Sequence, residues 1–281
     1  FKVPVSVNNG DGSSLTCNAF YSSFFSEIGF EKANPSACIN SAYDTMIYHE
    51  YGHFVDDMAG GIMPDQEGSG LSGGGIYLAG DGTVATLINS HIVDNDSNGH
   101  GAAMVVTDQA TLNMRQAPEG CEYLGAEYCS QISNNWVQVI STSGGAGYIS
   151  DNAQVYISQT EISNNKSITV NGFYLNDAAY LRLEGNLIKQ NDGLGAQDPA
   201  ESLIHIGEAG SQPSQLDFVY NTVVANEVER FFTANNISGR QVLNVFNSII
   251  WDNGTIFNFN GPATSQIDCT VVHESTSLSG N

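Results

Sequence analysis

The stretch INSHIVDN (88–95) contains a pattern that returns along most of the chain: an aliphatic residue followed three positions later by asparagine. Six copies occur, and their members are Ile92/Asn95, Ile132/Asn135, Ile162/Asn165, Ile188/Asn191, Val223/Asn226 and Ile250/Asn253. The steps between the asparagines are 40, 30, 26, 35 and 27 residues. A further copy is degenerate, with Val271 and then Glu274 where asparagine would fall. The spacing predicts a repeated structural unit.

Each copy follows a short segment in which apolar and polar residues alternate, which is the period of a β-strand with one buried face. The pairs expected to share that face are Leu112/Met114, Val155/Ile157, Leu181/Leu183, Leu216/Phe218 and Ile267/Cys269. Another short strand, often opened by glycine, precedes these segments: GGGIYL (73–78), GAAMVV (101–106), GAGYIS (145–150), GFYLN (172–176), LIHIG (203–207) and TIFNF (255–259).

Three short strands per copy, with turns between them, describe one coil of a parallel β-helix. One coil cannot bury its inward face alone, whereas stacked coils share a continuous core. The alternative is a β-sandwich with Asn-rich turns, but six aligned copies with matching upstream strands favour the β-helix. We predict a mainly β protein with about seven coils over residues 73–281 and a separate segment over residues 1–72.

The recurrent asparagine has a structural explanation. At a turn in every coil, stacked side-chain amides can hydrogen-bond to one another along the stack, and asparagine tolerates the left-handed conformation of a sharp bend. The predicted ladder consists of Asn95, Asn135, Asn165, Asn191, Asn226 and Asn253. Because the strands keep their lengths while the steps vary, insertions are expected in the outer turns.

The stretch from residue 73 onward resembles the right-handed parallel β-helix repeats of bacterial secreted and surface proteins. The motifs that carry the resemblance are GGGIYL (73–78), INSHIVDN (88–95), ISNN (132–135 and 162–165) and FNSIIWDNG (246–254). The resemblance implies that the β-helix winds with a right hand. It leaves the function open, because such helices serve as lyases, hydrolases, adhesins, ice binders and spacers.

The composition excludes several classes of function. The chain has 281 residues, with 8 Lys+Arg against 30 Asp+Glu and a formal net charge of −22. So acidic a chain lacks the basic surface that binds a phosphate backbone, and no apolar run is long enough to span a bilayer. Few basic residues, many acidic ones and tandem coils favour a secreted, extracellular or cell-surface bacterial protein, and the start at Phe1 suggests a piece of a longer precursor.

Five cysteines are compatible with disulfides and an oxidising compartment. Their spacing suggests the pairs Cys17–Cys38 and Cys121–Cys129, and it leaves Cys269 as a buried thiol. The second pair would fix a loop within the longest step of the repeat.

Residues 1–72 do not follow the repeat and carry a different motif. Asn40-Ser41 could cap a helix from Ala42 to about Ala59, and this helix contains HEYGH (49–53). Residues i and i+4 share a helix face, so His49 and His53 can reach one zinc ion, with Glu50 placed to take a proton from a metal-bound water. The other reading is an amphipathic helix with two surface histidines.

The surrounding sequence, CNAFYSSFFSEIGFEK (17–32) and SAYDTMIYHEYGHFVDD (41–57), resembles thermolysin-like and fungalysin-like zinc metallopeptidases. The resemblance implies a small α+β segment in which His49 and His53 are zinc ligands and Glu50 is the catalytic base.

The third zinc ligand of that family is missing. The family supplies a glutamate in a pattern like L-S-E-G, whereas here Leu71-Ser72 is followed by Gly73-Gly74. Asp57 lies about 12 Å along the helix from His49, too far to share one ion. Asp65 and Glu67, in the loop past the helix, are geometrically possible ligands.

Other groups of candidate residues give weaker indications of function. Asp94 and Asp96 flank Asn95 and could bind calcium, although solvated turn acids are the commoner case. The solenoid's basic residues do not cluster in sequence, which disfavours a polysaccharide lyase. Core packing is the favoured role for the late aromatics, which are Phe231, Phe232, Phe257 and Phe259.

Three functions remain open. The favoured one is an extracellular structural or adhesive β-helix module with a degenerate peptidase-like segment, which would bind a protein or polysaccharide surface. The second is an active zinc metalloendopeptidase with an appended β-helix. The third is a filament subunit that associates head to tail with copies of itself, through specific or calcium-assisted contacts.

Overall fold

A computed structural model of the chain describes twelve stretches: 5–9, 19–22, 27–31, 74–117, 129–138, 144–192, 200–207, 213–226, 228–235, 241–251, 255–260 and 264–273. The chain divides into two compact units, Phe1–Pro64 and Asp65–Asn281. Over the described stretches the protein is mainly β, without helices.

The first unit contains a three-stranded mixed sheet. Its strands are β1 (Val5–Asn9), β2 (Ala19–Ser22) and β3 (Glu27–Glu31). β3 lies in the middle, parallel to β1 and antiparallel to β2. The predicted helix at 42–59, with its HEYGH motif, lies outside the described residues.

Over its described stretches, the second unit contains seven repeats of three strands. In chain order the strands are β4 (Ile76–Leu78), β5 (Val84–Ile88), β6 (His91–Val93), the extra strand β7 (Asp96–Ser97), β8 (Met104–Val106), β9 (Thr111–Arg115), β10 (Ser130–Ser133), the extra strand β11 (Trp136–Val137), β12 (Gly147–Ile149), β13 (Gln154–Ser158), β14 (Thr160–Ser163), β15 (Val170–Leu175), β16 (Tyr180–Glu184), β17 (Leu187–Lys189), β18 (Ala200–Ile206), β19 (Gln215–Val219), β20 (Thr222–Val224), β21 (Val228–Asn235), β22 (Val242–Phe246), β23 (Ile249–Trp251), β24 (Thr255–Asn260), β25 (Thr264–Asp268) and β26 (Val271–Val272).

Within each repeat the three strands enter three different sheets. The first sheet contains β4, β8, β12, β15, β18, β21 and β24, the second β5, β9, β13, β16, β19, β22 and β25, and the third β6, β10, β14, β17, β20, β23 and β26. Neighbouring strands in each sheet are parallel. β7 and β11 form an additional parallel pair. The prediction of a mainly β chain with stacked parallel strands is confirmed.

The inward side chains form columns that cross the strands. In the second sheet Leu112, Val155, Leu181, Leu216 and Leu243 occupy one register position, and all are buried. The paired column contains Met114, Ile157, Leu183, Phe218 and Val245, which are also buried. The predicted inward face is therefore confirmed for the four pairs from Leu112 to Phe218. Burial of each such side chain stabilises the fold by roughly 1.5–3 kcal/mol.

Phenylalanines fill the core where the later repeats meet. Phe231, Phe232 and Phe257 are buried, which confirms their predicted core role. Phe232 stacks on Phe257 with ring centroids 5.5 Å apart and meets Phe218 edge to face. The side chain of Phe259 lies outside the description.

The corners require left-handed backbone, but at a different residue from the one predicted. Positive φ occurs immediately before the ladder asparagine, at Asp94, Asn134, Asn164, Gln190 and Ala225, with φ between 54° and 58°. The ladder residue itself is not left-handed from Asn95 to Asn226. The recurrence of asparagine at this position follows from its hydrogen bonds rather than from its backbone conformation.

Two predictions at the end of the repeats are wrong. Cys269 is an exposed free thiol, because it occupies a left-handed corner with φ 49°, after the last residue of β25. The degenerate copy is also displaced by one position. Ile250 pairs with Val272 rather than with Val271, so the position of the ladder residue falls on Ser275, outside the described residues.

Candidate functional site

Many predicted site residues lie outside the described stretches. They are His49, Glu50, His53, Asp65, Glu67, Cys17, Cys38, Cys121 and Asn253. Among the residues that the structure describes, no group of three His, Cys, Asp or Glu side chains is placed to hold a metal ion. Cys129 is buried and disulfide-bonded, with its partner outside those residues. The zinc site and both cysteine pairings therefore stay predictions.

The structure brings five of the six predicted ladder residues into one column. Each side-chain amide donates to the Oδ1 of the next, with 2.8 Å from Asn95 to Asn135, 2.8 Å from Asn135 to Asn165, 2.9 Å from Asn165 to Asn191 and 2.9 Å from Asn191 to Asn226. Asn135, Asn165, Asn191 and Asn226 are buried. A buried amide is costly unless it is paired, so the column stabilises the corner rather than offering a binding site.

A second polar column at the preceding corner was missed from the sequence. Asn186 donates through its side chain to Asn221 Oδ1 at 3.0 Å, and its own Oδ1 accepts the backbone N–H of Thr160. Ser248 Oγ accepts the N–H of Asn221. A signal was available, because Ser, Thr or Asn stands two residues before the aliphatic residue in all six copies: Ser90, Ser130, Thr160, Asn186, Asn221 and Ser248.

The clearest candidate for a functional surface lies on the outer face of the second sheet. Its side chains project from β13, β16, β19 and β22, on the face opposite the buried columns. We call it the second-sheet patch, and it comprises Gln154, Tyr156, Tyr180, Arg182, Glu184, Gln215, Asp217 and Asn244. Tyr156, Arg182, Asp217 and Asn244 occupy one register position on four successive strands.

Asp217 is the centre of a hydrogen-bond network in this patch. Its Oδ2 accepts the hydroxyl of Tyr180 at 2.6 Å. Its Oδ1 accepts the amides of Asn244 at 2.8 Å and Gln215 at 2.9 Å. Arg182 lies 3.9 Å away, and the Asp217 side chain is only 15% exposed. Side chains of three strands, β16, β19 and β22, thereby hold one carboxylate in a fixed position.

These contacts determine the protonation of both partners. Burial alone would raise the pKa of Asp217, but the hydrogen bonds from Tyr180, Asn244 and Gln215, together with the charge of Arg182, hold it below its ordinary value. Burial, followed by the hydrogen bond to Asp217 and the charge of that carboxylate, raises the pKa of Tyr180 to about 12. Near neutral pH Asp217 is an acceptor and Tyr180 a donor.

The rest of the patch is ordered and more exposed. Arg182 donates to Glu184 Oε2 from Nε at 3.0 Å and from Nη2 at 2.9 Å. These two side chains are 36% and 44% exposed. The Tyr156 hydroxyl donates to Gln154 Oε1 at 2.8 Å, and its ring lies 5.4 Å from that of Tyr180. The patch therefore presents aromatic rings, amides and carboxylates in fixed positions on an open sheet.

The outer face of the first sheet carries a column of rings that is less accessible. Ring centroids are 4.5 Å apart for His100 and Tyr148, 5.5 Å for Tyr148 and Tyr174, and 4.8 Å for Tyr174 and His205. Tyr148 and His205 are each 9% exposed. Burial lowers the pKa of His205 to about 4, so its ring is neutral at pH 7. The rings of this column pack against one another and expose little surface to a ligand.

The predicted calcium ligands Asp94 and Asp96 are both exposed, on either side of the half-buried Asn95. Asp94 occupies a left-handed corner with φ 58°, which accounts for a small polar residue at that position. Calcium binding stays a prediction.

Comparison of the chain with family models, curated proteins and solved structures found no match. In the part of the chain that the structure describes, no helix is both long and apolar enough to cross a membrane.

The residues of the second-sheet patch carry no local sequence signal. Tyr156 and Gln154 are 61 or more residues from Asp217 along the chain, and only the parallel register brings Tyr180, Arg182 and Asp217 together. The alternation predicts that they face outward, but the partner strands can be assigned only once the repeats are aligned.

Proposed function

We propose that the second unit winds as a right-handed parallel β-helix and acts as an extracellular adhesive module that binds a polysaccharide through the second-sheet patch. The observation that carries the proposal is the network around Asp217, in which Tyr180, Gln215 and Asn244 from three strands fix one carboxylate on an outer face. Such preorganisation lowers the entropy lost when a ligand binds.

The regular passage through three parallel sheets supports the β-helix. Connections between parallel strands of one sheet are almost always right-handed, which supports that hand here. The excess of acidic over basic residues and the disulfide at Cys129 support an extracellular location.

The chemistry of the patch suits a sugar polymer. A sugar ring has an apolar C–H face, which packs on a tyrosine ring, and a rim of hydroxyls, which pair with amides and carboxylates. An open sheet favours an extended ligand over a small molecule that needs an enclosing pocket. The acidity of the chain argues against nucleic acid.

Binding is favoured over hydrolysis at this patch. A glycosidase needs one carboxyl group that keeps its proton near neutral pH to protonate the leaving oxygen. Asp217 is held ionised by its donors, since its pKa is lowered, and Glu184 already accepts two hydrogen bonds from Arg182.

The test is affinity electrophoresis of the purified chain in gels that contain a panel of polysaccharides. We expect at least one polymer to retard the wild type and the variant Tyr156→Ala/Tyr180→Ala to migrate freely. The matched control is Tyr220→Asn, at an exposed tyrosine on a corner where Asn247 holds the equivalent position. No retardation by any polymer, or equal retardation of all three proteins, would contradict the proposal.

Self-association is a second candidate function. It is favoured by core-facing apolar residues that are accessible at the two ends of the stack. An open cavity of about 220 Å³ in the first repeat is lined by the core-facing Ile76, Leu87 and Ile92. In the last repeat Ile267, from a core-facing column, is 41% exposed. A contact between opposite ends is heterologous and grows filaments. Sedimentation that gives only monomers over a range of concentrations, with and without calcium, would dismiss it.

A further inference from the structure

We infer that the ligand of the second-sheet patch is an uncharged polysaccharide that lies across the strands, from Tyr156 towards Asn244. This inference rests on the proposed function and adds the ligand class and its direction. It follows from two properties of the patch, the pairing of its charges and the arrangement of its side chains on four strands.

The patch has no cation left to bind an acidic sugar. Arg182 is its one positive side chain, and it donates twice to Glu184 and lies 3.9 Å from Asp217. Uronate and sulfated polymers bind most strongly where basic groups are free to form charge-assisted hydrogen bonds with them. They would also be repelled by a chain whose formal charge is −22.

The carboxylates are not available to a cationic sugar either. Both oxygens of Asp217 accept hydrogen bonds from side chains of the patch itself, and Glu184 Oε2 is held by Arg182. Because the charge of Glu184 is balanced by Arg182, a cationic amino sugar gains little from that carboxylate. The groups that remain for a ligand are the rings of Tyr156 and Tyr180 and the amide groups that Gln215 and Asn244 do not use in their single bonds to Asp217. Amides recognise hydroxyl groups.

The direction follows from the register. Tyr156, Arg182, Asp217 and Asn244 lie side by side on four adjacent strands. With strands about 4.8 Å apart, this strip extends roughly 14 Å along the stack, longer than one sugar ring. A ligand that lay along β16 would meet Tyr180, Arg182 and Glu184 only, whereas one that crosses the strands meets the whole strip.

Titration calorimetry of the full chain with size-defined oligosaccharides tests the inference. The probes are neutral oligomers (α- and β-linked glucans, mannan and xylan), oligogalacturonides and chitosan oligomers, each at two salt concentrations. We expect a neutral oligomer to bind, with an affinity that rises with length until the strip is covered and does not change with salt. Asn244→Ala and Tyr156→Ala, at opposite ends of the strip, should each weaken binding about tenfold.

Arg115→Gln provides the matched control, because it removes an exposed arginine of the same sheet outside the patch. Thermal melts of each variant verify that it is folded. Preferential binding of oligogalacturonides or chitosan through the patch residues, a strong salt dependence, or a monosaccharide that binds as tightly as the oligomers would overturn the inference while leaving the proposed function intact. If no oligomer binds, or if neither patch variant changes the affinity, both the inference and the proposed function fail.

Discussion

Asn165 illustrates what a single residue contributes at a corner of the stack. Its side-chain amide donates to Asn191 Oδ1 and to the backbone carbonyl of Ile132, while its Oδ1 accepts from the side chain and the backbone N–H of Asn135. One buried residue thus satisfies polar groups of three consecutive repeats. Aspartate lacks the donors and glutamine is longer, so asparagine fits both requirements.

Replacing Asn165 by alanine should destabilise the protein by roughly 2–4 kcal/mol, because it removes the acceptor of the backbone and side-chain N–H groups of Asn135 and the side-chain donor to the carbonyl of Ile132. Urea unfolding followed by circular dichroism measures the change. Asn113→Ala, at a half-buried outward position of the second sheet, should stay within about 0.5 kcal/mol of the wild type. Equal effects of the two substitutions would contradict the role of the column.

Asp217 makes the stability of the folded protein depend on pH. Its folded pKa lies below the ordinary 3.8, so its contribution is fully present above that value and is lost as the pH falls through the lower, folded pKa. Below pH 3.8 the melting temperature of the wild type should fall more steeply than that of Asp217→Asn, which cannot titrate. Asp81→Asn, at an exposed turn residue, should keep the wild-type profile. If the melting temperatures of the wild type and Asp217→Asn fell in parallel with pH, the stabilising role of the Asp217 network would be ruled out.

At the scale of strands and turns, the alternation of side chains placed four of the five predicted inward pairs inside second-sheet strands. Val155 and Ile157 lie within Gln154–Ser158, and Leu181 and Leu183 lie within Tyr180–Glu184. The ends of the first-sheet strands were harder to predict. The sequence suggested that these strands open at a glycine, but the glycine does not always mark the first residue of the strand. β15 starts at Val170, so Gly172 lies inside it.

Gly172 is needed there because a neighbouring strand approaches closely. A Cβ on this residue would lie 2.5 Å from the carbonyl oxygen of Leu203 in β18. We expect Gly172→Ala to cost about 1–3 kcal/mol, since the backbone of two strands must move apart. Gly185→Asn should be nearly neutral, because Asn89 and Asn247 occupy equivalent left-handed corners. Thermal denaturation distinguishes the two, and a harmless Gly172→Ala would disprove the close packing.

At the scale of the whole molecule, the repeat predicted far more of the fold than of the site. Asn95 to Asn226 recur at a fixed place relative to the strands, so their column follows once the copies are aligned. The end of the stack is different, because Val271 and Val272 are both aliphatic and only the pairing of Ile250 with Val272 decides between them. The patch depends on which outward side chains become neighbours, and a pattern of alternation does not encode that.

The first unit offers an independent test, which concerns its peptidase-like motif. Because the sequence has no glutamate where the peptidases that it resembles supply their third zinc ligand, we expect the wild type to cleave casein no faster than Glu50→Gln, with or without added zinc. A metal analysis of the purified chain accompanies the assay. One zinc per chain together with cleavage abolished in Glu50→Gln would instead establish an active peptidase.

Hydrogen–deuterium exchange of the full chain, with and without the best-binding polysaccharide, tests the central claim most directly. The account predicts that the ligand slows exchange in β13, β16, β19 and β22, where the second-sheet patch lies, and leaves the third sheet unchanged. Protection confined to another sheet or to the first unit, or no protection at a ligand concentration that saturates binding, would contradict it.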